Sequence, residues 1–133
     1  MGQTQSINKL NFESVQNIIN NNTTKGAFII ISTLDIGDQD YLIKNTVNPH
    51  REIEILNSKE NSNINILIYG KKCSDSKVIN KYNQLYKLGF VNLYVYIGGL
   101  FEWLLLQDIY GEDEFPTTNK ILDILKYKGN SII

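Results

Sequence analysis

The segment Gly70-Lys71-Lys72-Cys73-Ser74-Asp75-Ser76-Lys77 gathers the chain's only cysteine, two hydroxyls, a carboxylate and three lysines. It lies between an apolar run, Ile66-Leu67-Ile68-Tyr69, and a helical pattern that ends at Gly89. A loop that joins a strand's C-terminal end to a helix N-terminus can aim several backbone N–H groups at one point, where the helix dipole also favours negative charge. A cysteine held there can ionise to a stabilised thiolate. Lys71, Lys72 and Lys77 could favour that thiolate and attract an anionic substrate, or stand as solvated loop charges. The reading of Cys73 starts with two alternatives, a buried filler or a reactive thiol.

The elements around the loop follow from hydrophobic periodicity. Phe12, Val15, Ile18 and Ile19 recur at helical spacing behind a capping Asn11, which predicts an amphipathic helix over 11–21. Residues 27–31 form a short β-branched and aromatic run of the kind buried on both faces of a parallel sheet. A polar connection over 32–47 follows. Asn48-Pro49 then offers a cap with proline in the first turn, for a helix to about residue 59, although Ile53 and Ile55 alternate as in a strand. A second buried strand spans 65–69. Ser76 is the expected cap of the next helix, which carries Val78, Ile79, Tyr82, Leu85 and Leu88 and places Gly89 just past its end. A third strand over 92–97 sets Leu93, Val95 and Ile97 on one face and Tyr94 and Tyr96 on the other, where the tyrosines are read as sheet packing.

The helix that opens at Leu100 has almost no polar face, because Phe101, Trp103, Leu104, Leu105 and Leu106 crowd its circumference. Such a helix is either buried or covered by another chain, and burial is the expectation, with a homodimer or partner contact as the alternative. After Gly111-Glu112-Asp113-Glu114, a turn at Phe115-Pro116-Thr117-Thr118 leads to an apolar tail containing Ile121, Leu122, Ile124 and Leu125, read as a docking helix or an extended arm. Alternating strands and helices imply right-handed crossovers and an α/β fold, a parallel sheet with helices on both faces. Sites in such sheets lie beyond the C-terminal ends of the strands, which is where the Cys73 loop falls.

Composition narrows the function classes. The 133 residues suit one compact domain, divided here into a flexible segment 1–10 and a folded unit 11–133. A net charge of −1 argues against sequence-independent nucleic-acid binding, which needs a basic face. One cysteine allows no internal disulfide and no thiolate zinc cluster. No metal or cofactor is expected: Gly98-Gly99 lacks dinucleotide-loop spacing and is read as tight packing, Glu112-Asp113-Glu114 as a solvated turn, and the single histidine, His50, as a surface residue.

Met1-Gly2-Gln3-Thr4-Gln5-Ser6 fits the N-myristoylation pattern, with Gly2 acylated after loss of the methionine. A single myristoyl chain binds membranes only marginally, on the order of 10⁴ M⁻¹, and Lys9 is the only nearby cation. The expected location is cytoplasmic, with weak peripheral membrane association through Gly2.

The order of blocks resembles the rhodanese-homology domain. That family has a strand ending in an aromatic residue, an active-site loop, a helix closing on Leu-x-x-Leu-Gly-Phe, a further strand and a Gly-Gly-x-x-x-Trp signature. Here these are Ile66 to Tyr69, the 70–76 loop, Leu85 to Phe90, the 92–97 run, and Gly98, Gly99 and Trp103. The resemblance covers about a third of the chain, residues 64–106, and the block from Phe101-Glu102-Trp103 to Thr118 also looks like rhodanese-like proteins of large DNA viruses of protists. It implies sulfur transfer, in which a loop thiolate takes sulfur from a small donor such as thiosulfate and passes it as a persulfide to a thiol or cyanide. Cys73 would carry that chemistry, with Gly70, Lys71, Lys72, Ser74, Asp75, Ser76 and Lys77 as its loop. A catalytically inactive binding module is the alternative.

The chain departs from the family at the site. The family's catalytic cysteine directly follows the strand's last aromatic residue, a position held here by Gly70, and Cys73 comes three residues later. The Asp-x-Arg that ends the family's first strand is replaced by Ile31-Ser32-Thr33-Leu34, and a Gly-His-Ile-x-Gly-Ala segment is echoed by Tyr41-Leu42-Ile43-Lys44-Asn45-Thr46. Related phosphatases place an arginine six residues after the cysteine, whereas the only arginine here is Arg51.

Overall fold

The computed structural model describes residues 7–21, 28–35, 41–57, 64–72 and 75–118, without the side chains of Asn21, Pro49 and His50. Gly2, Cys73, Ser74 and the apolar tail beyond Thr118 lie outside the described residues. Element order is β1 (Lys9–Leu10), α1 (Phe12–Asn21), β2 (Phe28–Ser32), α2 (Pro49–Leu56), β3 (Asn65–Tyr69), α3 (Ser76–Lys87), β4 (Asn92–Tyr96) and α4 (Gly99–Tyr110). The strands form one parallel sheet in the order β1-β4-β3-β2.

The two-residue alternation of the strands sorts their side chains into two cores. Ile30, Leu67, Tyr69 and Tyr96 pack with Val15, Leu100, Trp103, Leu104 and Phe115 on the face covered by α1 and α4. Ile31, Ile66, Ile68, Leu93 and Val95 pack with Val78, Tyr82 and Leu85 of α3 on the other. Every residue from Ile66 to Tyr69 is fully buried, as a central strand flanked by two layers requires. Burial of Tyr96, with partial burial of Tyr94 against the Phe28 ring, agrees with the reading of this tyrosine pair as packing.

Local chemistry sets most helix ends. Asn11 accepts from the Ser14 N–H and Asn48 from the Arg51 N–H, so both predicted asparagine caps operate. At the end of α3, Gly89 adopts φ +106°, its N–H bonds Tyr86 O, and the Phe90 N–H bonds Leu85 O. This double closure brings the buried Leu85 and Phe90 together and explains why glycine sits between leucine and phenylalanine. Helix α2 ends at Leu56 rather than near 59, with Asn57 as its C-cap.

Within the N-terminal segment, Lys9 and Leu10 pair with Val95 and Tyr96, and the Asn8 side chain donates to Leu93 O. Two expectations are corrected. The 32–47 connection is not simply polar, since Leu42 and Ile43 are buried in the first core and Ile43 bridges Thr117. Helix α4 is only half buried. Leu100, Trp103 and Leu104 face the sheet, while Phe101, Leu105, Ile109 and Tyr110 are 45–68% exposed, because a helix in an outer layer can turn only one stripe inward.

Candidate functional site

The last rung of the sheet is Ser32–Tyr69–Tyr96–Leu10, and the chain leaves it through the loops after β2, β3 and β4. These three loops are bonded to one another. The Thr33 N–H donates to Tyr69 O at 3.0 Å, and the Leu100 and Phe101 N–H groups donate to Gly70 O and Lys71 O at 2.9 and 2.8 Å. The first amides of α4 are thus spent on the carbonyls of the Cys73 loop. That approach requires Gly99: its φ is +71°, and a β-carbon there would lie 2.8 Å from Gly70 O and 3.0 Å from Lys72 N. Packing thus explains Gly99, against the neighbouring loop, whereas a β-carbon at Gly98 would meet the Glu102 side chain.

Asp75 organises the other side of the loop. It is the N-cap of α3, with φ −77° and ψ 112°, and its carboxylate accepts from the Lys77 N–H through Oδ1 at 2.9 Å and from the Lys71 N–H through Oδ2 at 3.2 Å. Ser76, expected to be the cap, is instead the first helical residue and exposed. The carboxylate wins because its two oxygens can serve two amides at once, and its charge complements the helix N-terminus. The Asp75 N–H bonds Lys72 O, and Asp75 O receives the Val78 N–H. The amides of Lys71, Asp75, Lys77 and Val78, expected to converge on an anion, therefore already have acceptors within the loop.

Gly70 is buried at the end of β3. A side-chain carbon at this position would lie 2.6 Å from both Asp75 Oδ2 and Val78 Cγ2. The place that the resemblance gives to a catalytic thiol is filled by neighbouring side chains. Lys71 and Lys72 are exposed beside it, whereas Lys77 reaches back to Asp35 with Nζ 2.7 Å from Oδ1. The Lys77 hydrogen bond and charge hold the Asp35 carboxyl below its usual value against desolvation, with the least contribution from Lys71. Sequence reasoning left Asp35 among loop residues; its one signal was an acidic group just past a strand end opposite a lysine-rich loop.

Beneath the loops, the Tyr69 hydroxyl receives the Ile43 N–H at 3.1 Å and lies 2.8 Å from Thr46 Oγ1. Burial pushes this phenol well above the usual tyrosine range, and those two hydrogen bonds oppose the shift. The 41–46 segment is thereby held beneath the end of β3, so the echo of a family segment there corresponds to a structural buttress. Tyr96 likewise has a raised pKa, from burial first and then from its bond to the Glu102 carboxylate.

Two grooves flank the start of α3. One, of about 290 Å³, is lined by Ser32, Thr33, Lys77, Asn80, Lys81 and Gln84. Its lysines are both paired, Lys77 with Asp35 and Lys81 with Glu52. The other, of about 260 Å³, runs between the edge strand and α3 and includes Lys9, Asp75, Ile79 and Ile97. No cluster of metal-ligating side chains occurs among the described residues, and none of their helices is long and apolar enough to cross a membrane.

No protein-family model matches the sequence, and no curated protein matches it. Solved structures do match. The rhodanese-like domain of the Alr3790 protein from Anabaena sp. is 20% identical over 85% of this chain and 80% of that one, with a TM-score of 0.59. Ygr203w from Saccharomyces cerevisiae, a homolog of single-domain rhodanese and of the Cdc25 phosphatase catalytic domain, is 16% identical over 84% and 87%, with a TM-score of 0.62. The S. cerevisiae single-domain sulfurtransferase RDL2 is 16% identical over 86% of this chain and all of its own, with a TM-score of 0.58. Identities this low speak to architecture alone, and on that ground the chain has the rhodanese-like α/β fold.

Proposed function

We propose that this is a rhodanese-like domain protein that works as a non-catalytic binding module. The observation that carries the reading is Gly70. The position after the last strand residue bears no thiol, and the space where one would begin is occupied by Asp75 and Val78. The engaged loop amides and the pairing of Lys77 with Asp35 support it, because a persulfide anion draws its stabilisation from such groups. Phosphatase chemistry fits less well still: the arginine, Arg51, lies on α2, exposed and 3.9 Å from Glu54. The exposed apolar strip of Phe101, Leu105 and Ile109 is the surface offered to a partner or a second copy, and acylation at Gly2 would add a weak membrane tether.

The competing reading is sulfur transfer through Cys73. In that reaction the Cys73 thiolate attacks the outer sulfur of thiosulfate, a new S–S bond forms as the old one breaks, and sulfite leaves. Cyanide then removes the added sulfur as thiocyanate and restores the thiolate. Intact-mass measurement after thiosulfate treatment tests it, with Cys73→Ser as the control. The binding-module reading expects no added sulfur on the native chain. A one-sulfur gain on the native chain alone, reversed by cyanide, would replace it with an enzyme.

A further inference from the structure

We infer that the Asp75 carboxylate is the resident anion of the Lys71 and Lys77 amides, an internal contact that fills the position between them and closes it to external anions. The inference rests on the binding-module reading and supplies its physical cause.

The peptide unit joining Gly70 to Lys71 is held on both edges. Its carbonyl receives the Leu100 N–H at 2.9 Å, and its N–H donates to Asp75 Oδ2 at 3.2 Å. A trans peptide points these groups in opposite directions, so the bond from α4 turns the Lys71 N–H toward the far side, where Asp75 receives it. The second carboxylate oxygen takes the Lys77 N–H at the start of α3, where the helix dipole favours negative charge. One side chain thereby spans residues 71 and 77 and lies over Gly70, whose missing side chain makes the room. A small oxyanion held by the same two amides would have to stand where this carboxylate stands.

The α4 bonds to Gly70 O and Lys71 O do not depend on Asp75, so the loop retains a second anchor when the carboxylate is removed. In Asp75→Ser, the shorter hydroxyl can still cap Lys77 N–H, while the space over Gly70 and the Lys71 N–H are vacated. Sulfate is the probe, followed through the backbone amide resonances of Lys71 and Lys77. In the native protein these resonances stay in place as sulfate is added. In Asp75→Ser they move together and saturably, with sulfate affinity raised about tenfold or more. Saturable movement in the native protein, or none in a Ser variant with an otherwise native spectrum, overturns the inference.

Asp75→Asn covers the case in which the Ser variant does not fold. The amide has the same size but only one accepting oxygen, so one of the two N–H groups loses its partner and exchanges with solvent about tenfold faster. Unchanged protection of both amides also overturns the inference. Sulfate has no transferable sulfur, so these outcomes are independent of whether Cys73 accepts sulfur from thiosulfate.

Discussion

Helices α3 and α4 have twelve residues each and begin beside the same loop, yet they are specified in opposite ways. Helix α3 carries its instructions within its own sequence: a carboxylate cap at Asp75, a buried stripe of Val78, Tyr82 and Leu85, and a glycine closure at Gly89. Helix α4 has no side-chain cap, and its hydrophobic residues surround it. Its start is set by contact with a loop thirty residues earlier in the chain, and its inner stripe by the aromatic cluster of Tyr96, Trp103 and Phe115. A helix with local caps can tolerate a changed neighbour, whereas one positioned by tertiary contacts fails with them.

The largest break in that comparison should come from Trp103→Ala. Trp103 is fully buried, makes edge contacts with Tyr96 and Phe115, and donates from Nε1 to Pro116 O at 2.9 Å. Its loss should cost about 3–5 kcal/mol in urea unfolding, with α4 and the 111–118 turn loosening together. A cost under about 1 kcal/mol would mean that α4 does not depend on this anchor.

Gly99→Ala should come next, at about 2–3 kcal/mol, since it forces a positive φ and a contact against the Gly70 carbonyl together. Amide exchange should rise at Leu100 and Phe101 as their bonds to the loop open. Protection unchanged at both would show that the close approach is dispensable.

Asp75→Ala should be the mildest, at about 1 kcal/mol, the usual cost of a lost N-cap. Its effect should be confined to the first turn of α3 and the 70–72 loop. Global loss of protection in α3 would contradict the view that the helix is specified along its whole length.

The same contrast explains what the sequence made legible. Strands β3 and β4, helix α3 and the Leu85–Phe90 closure rest on periodicities and caps within a few residues of one another, and each was readable in the chain. Strand β1 was not, because two residues carry no alternation and their pairing lies some 85 residues away. Burial of Ile43 was hidden for a similar reason: the groups that hold it, the Tyr69 hydroxyl and Thr117, come from distant segments. At the site, the sequence marked the loop and its displaced cysteine. It assigned the cap to Ser76 because neither the space over Gly70 nor the direction of the Lys71 N–H can be read from composition. The half-exposed circumference of α4 shows that an all-round apolar pattern does not identify which faces find partners.

The edges of the sheet have a consequence of another kind. An unpaired strand edge is a template on which a second chain can add strands, the first step toward disordered aggregates. In this fold β1 offers only two residues, one of them the exposed Lys9. On the opposite side, the Ile30 carbonyl of β2 already receives the Val47 N–H, and Ile30 bridges Thr46. Among the described residues, then, one margin is a two-residue strand and the other is already engaged at Ile30, which leaves less main chain for strand addition when copies meet at high concentration.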